Sequence, residues 1–413
     1  MTRSPGPLPA RTRLALAAGR ATAAASRRLG RGRGGTVGGG IALAIDPGAL
    51  RRLATGRQVA LVSATNGKST TSRLLAEALG TAGAVAHNAT GANMAEGLVT
   101  TLDADRRAPY AVLETDEAYL GPIAQATRPR AILLMNLSRD YLERGVRSKA
   151  LARHWHASLA ALTWPCTVVA NADDPLVAWS VRDHGDVAWV AGGMWWDVDG
   201  EVCRTCRVRL RRDGDDWSCA TCGLARAEPA WLVVDGRVRG PDLDLPLDLR
   251  LPGRTSASNA LFALAGAAAL GVDPPRAMAA IARVDDVDGR WRPRLIDGRV
   301  VRLMLSKNPS SWNEIIERAA GETHPLVVVM EARGGSGKDC AFLWDAPFER
   351  LAGRTVVAAG NRAADVALRM QVAGLDVRIV PDPAAAIRSL PPGAVDVAAN
   401  YPAFLALAAT LGG

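Results

Sequence analysis

The sequence predicts an α/β protein with two parallel-rich sheet domains, and three observations carry that expectation. Short apolar runs of strand length alternate with helical patterns from residue 58 to 171, and again from about residue 293. A tight glycine-containing loop joins the first of these runs to a helix. Two C-x-x-C pairs interrupt the alternation between residues 195 and 240, where Trp, Cys, Arg, Gly and Asp dominate.

Each element has a local reason. Gln58-Val59-Ala60-Leu61-Val62 is a short buried strand. Ser63–Lys68 is a tight loop, and Ser69 to Leu79 is a helix with Leu74, Leu75, Ala78 and Leu79 at helical spacing. Apolar strands follow at Tyr110–Leu113, Ala131–Asn136 and Thr167–Asn171. Asn259–Ala269 is an Ala/Leu-rich helix. The second series of strands falls at Val300–Leu305, Leu326–Met330, Thr355–Ala359 and Val377–Val380. The expected division is a basic segment over residues 1–44, a central domain over 45–292 with the insert at 195–240, and a C-terminal domain over 293–413. No internal repeat is evident.

Charge is unevenly placed. The chain has 413 residues and a formal net charge of +9, yet residues 1–45 contain eight arginines and no acid. The rest is nearly neutral, which argues for a local contact by one segment rather than a basic nucleic-acid-binding body. Residues 11–28 suit a helix with arginines on one side, and Gly34–Gly40 reads as a flexible break. Two uses follow for this segment, a solvated tail or an arm for anionic lipid. No uncharged apolar run reaches 18 residues, so a membrane-spanning helix is not expected. The apolar stretch Leu14 to Ala25 is interrupted by Arg20, unlike a secretory core. Six cysteines do not make a disulfide scaffold in a chain this long, and a cytoplasmic location follows.

Ala64-Thr65-Asn66-Gly67-Lys68-Ser69-Thr70-Thr71 follows a strand and opens a helix. That context suits phosphate, because the helix N-terminus and the loop amides favour anions. Lys68 is the candidate for the β/γ-phosphates and Ser69 for Mg²⁺, with Thr65, Asn66, Gly67 and Thr70 lining the loop. The spacing departs from the usual form, since Val62 stands where the first glycine would be. A second Gly-Lys, at 337–338, lacks the upstream glycine and is discounted. Glu114, in Leu113-Glu114-Thr115-Asp116-Glu117, ends an apolar strand, where a carboxylate can hold Mg²⁺ beside the loop. Asn136-Leu137-Ser138-Arg139-Asp140 and Asn171-Ala172-Asp173-Asp174-Pro175 end two more strands. Asn171 has the chemistry to read a purine edge, although Asx-Pro turns are common without a ligand.

Cys203-x2-Cys206-x12-Cys219-x2-Cys222 has the spacing of a tetrahedral zinc site. With four thiolates no position is left for an activated water, so the zinc is expected to be structural. A zinc ribbon with neighbouring arginines also suits nucleic acid, but Asp213, Asp215 and Asp216 oppose that use.

Taken together, A-T-N-G-K-S-T-T, L-E-T-D-E-A, N-L-S-R-D-Y-L-E-R, N-A-D-D-P and N-A-L-F-A-L-A resemble the Mur ligase family. Within it, the chain resembles the MurT-like subunits of lipid II isoglutaminyl synthases. The narrowing features are the cysteine pairs, S-K-N-P-S-S-W-N-E at 306–314, G-K-D-C-A-F-L-W-D at 337–345, G-N-R-A-A-D at 360–365 and A-N-Y-P-A-F at 399–404. The resemblance implies a Mur-ligase-like central ATPase domain with an inserted Cys₄ zinc ribbon and a C-terminal Rossmann-like α/β domain. It implies ATP-dependent amidation of the D-glutamate α-carboxylate of the lipid II stem peptide to D-isoglutamine, through an acyl phosphate. It further implies ammonia from a GatD-like glutaminase subunit and work at the inner face of the membrane in peptidoglycan biosynthesis. No nucleic acid is expected.

Residue by residue, the resemblance implies that Gly67, Lys68 and Ser69 cradle the phosphates and Mg²⁺, with Glu114 as the metal-binding glutamate. Asn171 and Asn259 resemble adenine-pocket asparagines. Arg290 resembles an interdomain arginine, and Lys307 and Asn308 resemble C-terminal residues facing the nucleotide. An aspartate completing the partner's Cys–His pair is implied, with Asp339 and Asp345 as candidates. Ala64 departs from the family's usual glycine, and residues 330–342 depart from its D-G-R-D-V-S-W pattern. The alternatives are an amino-acid-adding Mur ligase or folylpolyglutamate-synthase-like ligase, and a zinc-ribbon nucleic-acid-binding ATPase.

Overall fold

The computed structural model describes residues 7–29, 35–140, 147–194, 198–287, 293–320, 322–333 and 339–410. The chain divides into two compact units. The first holds residues 1–137, 149–194 and 199–284. The second holds residues 138–148, 195–198 and 285–413.

The first unit opens with three helices, α1 (Ala10–Arg28), α2 (Gly35–Ile45) and α3 (Ala49–Ala54). The glycine-rich stretch expected as a flexible break is therefore corrected: from Gly35 on it is helix α2. The reason is close packing. A Cβ on Gly39 would lie 1.8 Å from the Glu96 carbonyl oxygen, and one on Gly38 would lie 2.6 Å from the Gly19 carbonyl oxygen. Glycine's low helix propensity is outweighed here because only glycine lets these backbones approach. The hairpin is tied down by the Thr12 hydroxyl, which donates to Asp46 at 2.6 Å, and by Arg20, which donates to Asp103 at 2.8 Å. Helices α1 and α2 of the basic segment are thus docked elements.

The sheet that follows contains β1 (Gln58–Ser63), β2 (Val85–His87), β3 (Tyr110–Glu114), β4 (Ala131–Leu134), β5 (Thr167–Asn171) and β6 (Val187–Val190). Helices α4 (Lys68–Gly80), α5 (Ala95–Ala104), α6 (Leu120–Thr127), α7 (Ser148–Ala160) and α8 (Pro175–Val181) alternate with these strands. The strand order is β2-β3-β1-β4-β5-β6, parallel throughout. Both faces are covered, so the strands are apolar almost end to end, with Leu61, Leu113, Ile132 and Val168 fully buried. Register pairs Val62 with Glu114 and Ser63 with Leu134. The carboxyl ends of the central strands therefore meet at one edge, where the loop before α4 emerges.

The insert holds a hairpin, β7 (Arg211–Asp213) with β8 (Asp216–Ser218), and its end runs into a three-stranded meander of β9 (Leu232–Val234), β10 (Arg237–Gly240) and β11 (Leu243–Pro246) that continues past residue 240. Helices α9 (Arg254–Ala269) and α10 (Pro274–Ile281) complete the unit.

The second unit is a sheet of β12 (Arg294–Ile296), β13 (Arg299–Leu305), β14 (Leu326–Val329), β15 (Val356–Ala359), β16 (Val377–Ile379) and β17 (Gly393–Ala399), in the order β12-β13-β17-β14-β15-β16. Helices α11 (Pro309–Ala320), α12 (Ala363–Val372), α13 (Pro383–Arg388) and α14 (Tyr401–Thr410) flank it. Among the described strands of this sheet, only β12 runs antiparallel to its neighbour. Leu326 and Val328 point to one core, Val327 and Val329 to the other. Strand β17 lies in the middle of the sheet but has no apolar run to announce it, because Asp396 interrupts it. That carboxylate is 3 % exposed and is met by Arg302 at 2.6 Å and Arg354 at 3.1 Å, which makes a buried acid tolerable in a central strand.

Candidate active site and four-cysteine module

The loop expected to hold phosphate sits between the end of β1 and the start of α4. Gly67 caps α4 in the left-handed region with φ 87°, and a Cβ there would stand 2.6 Å from Asn259 Oδ1. Glycine is required on both counts. Ala64, where the family's pattern has glycine, is fully buried without a left-handed φ. Its methyl is therefore accommodated, and its carbonyl accepts a hydrogen bond from Lys68 Nζ.

Four side chains meet at the loop, in two pairs. Lys68 Nζ forms an ion pair with Glu117 Oε2 at 3.0 Å, and both side chains are about one-tenth exposed. The Ser69 hydroxyl donates to Glu114 Oε2 at 2.8 Å. Glu114 is held in turn. Its backbone N–H donates to Asn88 Oδ1 at 2.8 Å, and Asn88 Nδ2 donates to the Glu114 carbonyl at 2.9 Å. The pair of a hydroxyl and a carboxylate beside a lysine and a helix N-terminus offers hard oxygen ligands next to an anion cradle, which fits Mg²⁺ with a nucleotide phosphate.

Two supporting residues have no assigned role in the sequence analysis. Asn136 clamps the loop: its Oδ1 accepts from Asn66 N–H at 2.9 Å, its Nδ2 donates to the Asn66 carbonyl at 3.0 Å, and its own carbonyl accepts from Thr65 N–H at 3.1 Å. Its signal in the sequence is a polar residue just after an apolar parallel strand. Glu117 is fixed by Trp155 Nε1, which donates to the Glu117 carbonyl at 3.0 Å. Nothing local announces it, because the register that brings it to Lys68 is set by the sheet. Asn136→Ala is expected to lower turnover about a hundredfold by letting the loop shift on the ångström scale, with little change in unfolding temperature. Steady-state kinetics beside a thermal melt checks this.

The adenine-pocket candidates are less open than expected. Asn171 Nδ2 donates to the Met135 and Gly193 carbonyls at 2.8 and 3.0 Å, while its Oδ1 accepts from Asp173 and Gly192 N–H at 3.0 and 3.2 Å. Both donors and both lone pairs are engaged, and in this structure Asn171 organises the turn after β5. Asn259 Oδ1 accepts from the Thr71 hydroxyl at 3.2 Å beside Gly67. Thr70 is buried in the first turn of α4.

The remaining candidates belong to the second unit. Lys307 Nζ lies 3.5 Å from Asp140, and Asn308 Nδ2 donates to the same carboxylate at 3.2 Å. The Ser311 hydroxyl accepts from the N–H groups of Lys307 and Asn308 at 2.9 and 3.0 Å. Asp345 pairs with Arg139 at 2.9 Å, both about one-third exposed. Asp339 Oδ1 accepts from Ala341 N–H at 2.8 Å and opens a short helical turn. Arg290 and the second Gly-Lys lie outside the described residues.

The four cysteines of the insert come together as the spacing predicts. Their sulfurs all lie within 4.8 Å of one another, and Cys203 Sγ is 3.6 Å from Cys222 Sγ. Both knuckles have the same backbone: Arg207 and Gly223, each just after the second cysteine, take φ of 61° and 75° and return their N–H to the Cys203 and Cys219 carbonyls. The N–H of Cys222 beside its sulfur pulls the Cys219 thiol down to about 6. This geometry fits a tetrahedral soft cation. The module is anchored beyond β5, where Trp217 Nε1 donates to the Ala172 carbonyl at 3.1 Å and Arg226 pairs with Asp173 at 2.7 Å.

Comparison with known proteins agrees with this architecture. Residues 305–404 match the family described as MurT ligase C-terminal. The chain is 27% identical over 404 residues to the MurT subunit of lipid II isoglutaminyl synthase (glutamine-hydrolyzing) of Streptococcus pneumoniae, covering 88% of this chain and 87% of that one. It is 26% identical to the corresponding subunit of Staphylococcus aureus, with 86% of each covered. Among solved structures it resembles the MurF ligase of Thermotoga maritima in complex with ADP, with TM-score 0.61 and 17% identity over 87% of this chain and 81% of that one. That likeness establishes a Mur-ligase fold.

Proposed function

We propose that this chain, Mur-ligase-like in fold and MurT-like over most of its length, is the ATP-dependent ligase subunit of a lipid II isoglutaminyl synthase. The observation that carries the reading is the cluster of Lys68, Ser69 and Glu114 around the loop between β1 and α4 at the carboxyl edge of the sheet, in a chain whose relatives are named for that reaction.

A carboxylate is a poor electrophile, and phosphorylation supplies its leaving group. A stem-peptide D-glutamate α-carboxylate oxygen would attack the γ-phosphorus of ATP, and ADP would leave. Ammonia would then attack the acyl carbon and expel inorganic phosphate, leaving an amide after loss of a proton. The N-terminus of α4 holds the phosphates, and Lys68 neutralises charge that grows as the bond to ADP breaks. Magnesium, when bound by Ser69 and Glu114, supplies further charge neutralisation. The Cys₄ module holds a structural zinc. Ammonia is expected from a GatD-like glutaminase, with Asp339 or Asp345 completing that partner's Cys–His pair. The reaction is placed at the inner face of the membrane, and no helix among the described residues is long and apolar enough to cross one.

The test is reconstitution with a glutaminase partner on lipid II with ATP and glutamine. Mass spectrometry should record acid-to-amide conversion. Absence of amide while the complex forms, or a product that depends on an added amino acid and not on glutamine, overturns the proposal.

A further inference from the structure

The outer side of the α1–α2 hairpin has no role in nucleotide chemistry, yet its composition is unusual. Helix α1 buries Thr12, Ala15, Leu16, Gly19 and Ala23. On its opposite side, at helical spacing, Leu14, Ala17, Ala21 and Ala25 face solvent. Leu14 is 66% exposed, and Leu29, just past the helix, is 70% exposed. Helix α2 turns Gly38 and Ala42 inward and leaves Val37 and Ile41, one turn apart, exposed.

Exposed arginines share α1 with its apolar side chains. Arg11, Arg13, Arg27 and Arg28 are exposed, while Arg20 is committed to Asp103. No acid precedes Asp46 in the chain. Asp46 itself is 2% exposed and bonded to Thr12, Arg52 and the Gly48 N–H. The hairpin therefore offers apolar and cationic groups side by side with no carboxylate of its own toward solvent.

We propose that the α1–α2 hairpin is a docking surface for an anionic lipid bilayer. It would lie flat, with Leu14, Leu29, Val37 and Ile41 at the headgroup–acyl boundary and the arginines on lipid phosphates. Charge complementarity selects the occupant. Long arginine side chains reach back from apolar surface to phosphate depth, and a bilayer interface presents those two layers together. The purpose of the surface rests on the lipid-substrate reading above, since it would hold the ligase where such a substrate is anchored. Its geometry does not depend on that reading.

Vesicle co-sedimentation of the full chain, without nucleotide or lipid II, tests the proposal separately from catalysis. Vesicles of phosphatidylglycerol with phosphatidylcholine should bind the chain, salt should weaken the binding, and phosphatidylcholine alone should bind it poorly. Arg27→Gln with Arg28→Gln should weaken partitioning roughly thirtyfold. Leu14→Glu with Ile41→Glu should weaken it at least about tenfold. Thermal melts identical to that of the unmodified chain should accompany both. Equal recovery on the two vesicle types, or unchanged recovery of both variants, overturns the proposal. So does tight binding to an acidic protein without any vesicle affinity.

Discussion

Lys68→Ala should reduce ATP-dependent amide formation by about a thousandfold or more, the scale of losing a preorganised charge at a transferring phosphoryl group. The lysine is already aimed: its ammonium is held at the loop by Glu117 at 3.0 Å and by the Ala64 carbonyl. The same geometry predicts a second effect. Removing one partner of a largely buried pair leaves the other uncompensated, which costs about 3 kcal/mol or more in a fully buried setting. At one-tenth exposure the cost is expected at the lower end. The double variant Lys68→Ala with Glu117→Gln should recover the lost unfolding temperature but not the activity. Turnover within about tenfold of the unmodified enzyme would remove Lys68 from the phosphate site. Recovery of activity in the double variant would show that stability alone had been lost.

Replacing Cys203 and Cys219 together by serine should abolish stoichiometric zinc and lower the unfolding temperature of the protein by more than about 5 °C. The module has a small core, with Leu210 and Trp217 beside the two buried cysteines. A cation held by four thiolates would supply most of its folding free energy. The consequence reaches the six-stranded sheet of the first unit, because Trp217 and Arg226 are fixed to Ala172 and Asp173 directly after β5. Loss of the module should therefore also weaken nucleotide binding, which a titration with ADP measures. Zinc well below one per chain in the unmodified protein, or a melt unchanged by the substitutions, would rule out a structural metal.

The sequence by itself determined the elements with strong local signals. Strand β1, the loop and α4 were legible because an apolar run, a glycine and a Ser/Thr-rich helix start occur in succession. The cysteine module was legible because the two short spacings leave little freedom in how four sulfurs can meet. Glu114 was legible as the acid that ends an apolar strand.

Tertiary structure decided what depends on distant neighbours. Glycine propensity argued for a break at Gly34–Gly40, but contacts at Glu96 and Gly19 select helix α2 instead. Strand β17 was hidden because Asp396 interrupts its apolar pattern, and only Arg302 and Arg354 make it a central strand. Asn171 carries the donors and acceptors of a ligand contact, and four partners around the β5 turn consume them. The pairing of Lys68 with Glu117, 49 residues apart, exists only because parallel register sets the ends of β1 and β3 side by side. Propensity and spacing act within a few residues along the chain, whereas packing, pairing and register act across it, and those longer-range terms decide which local preference prevails.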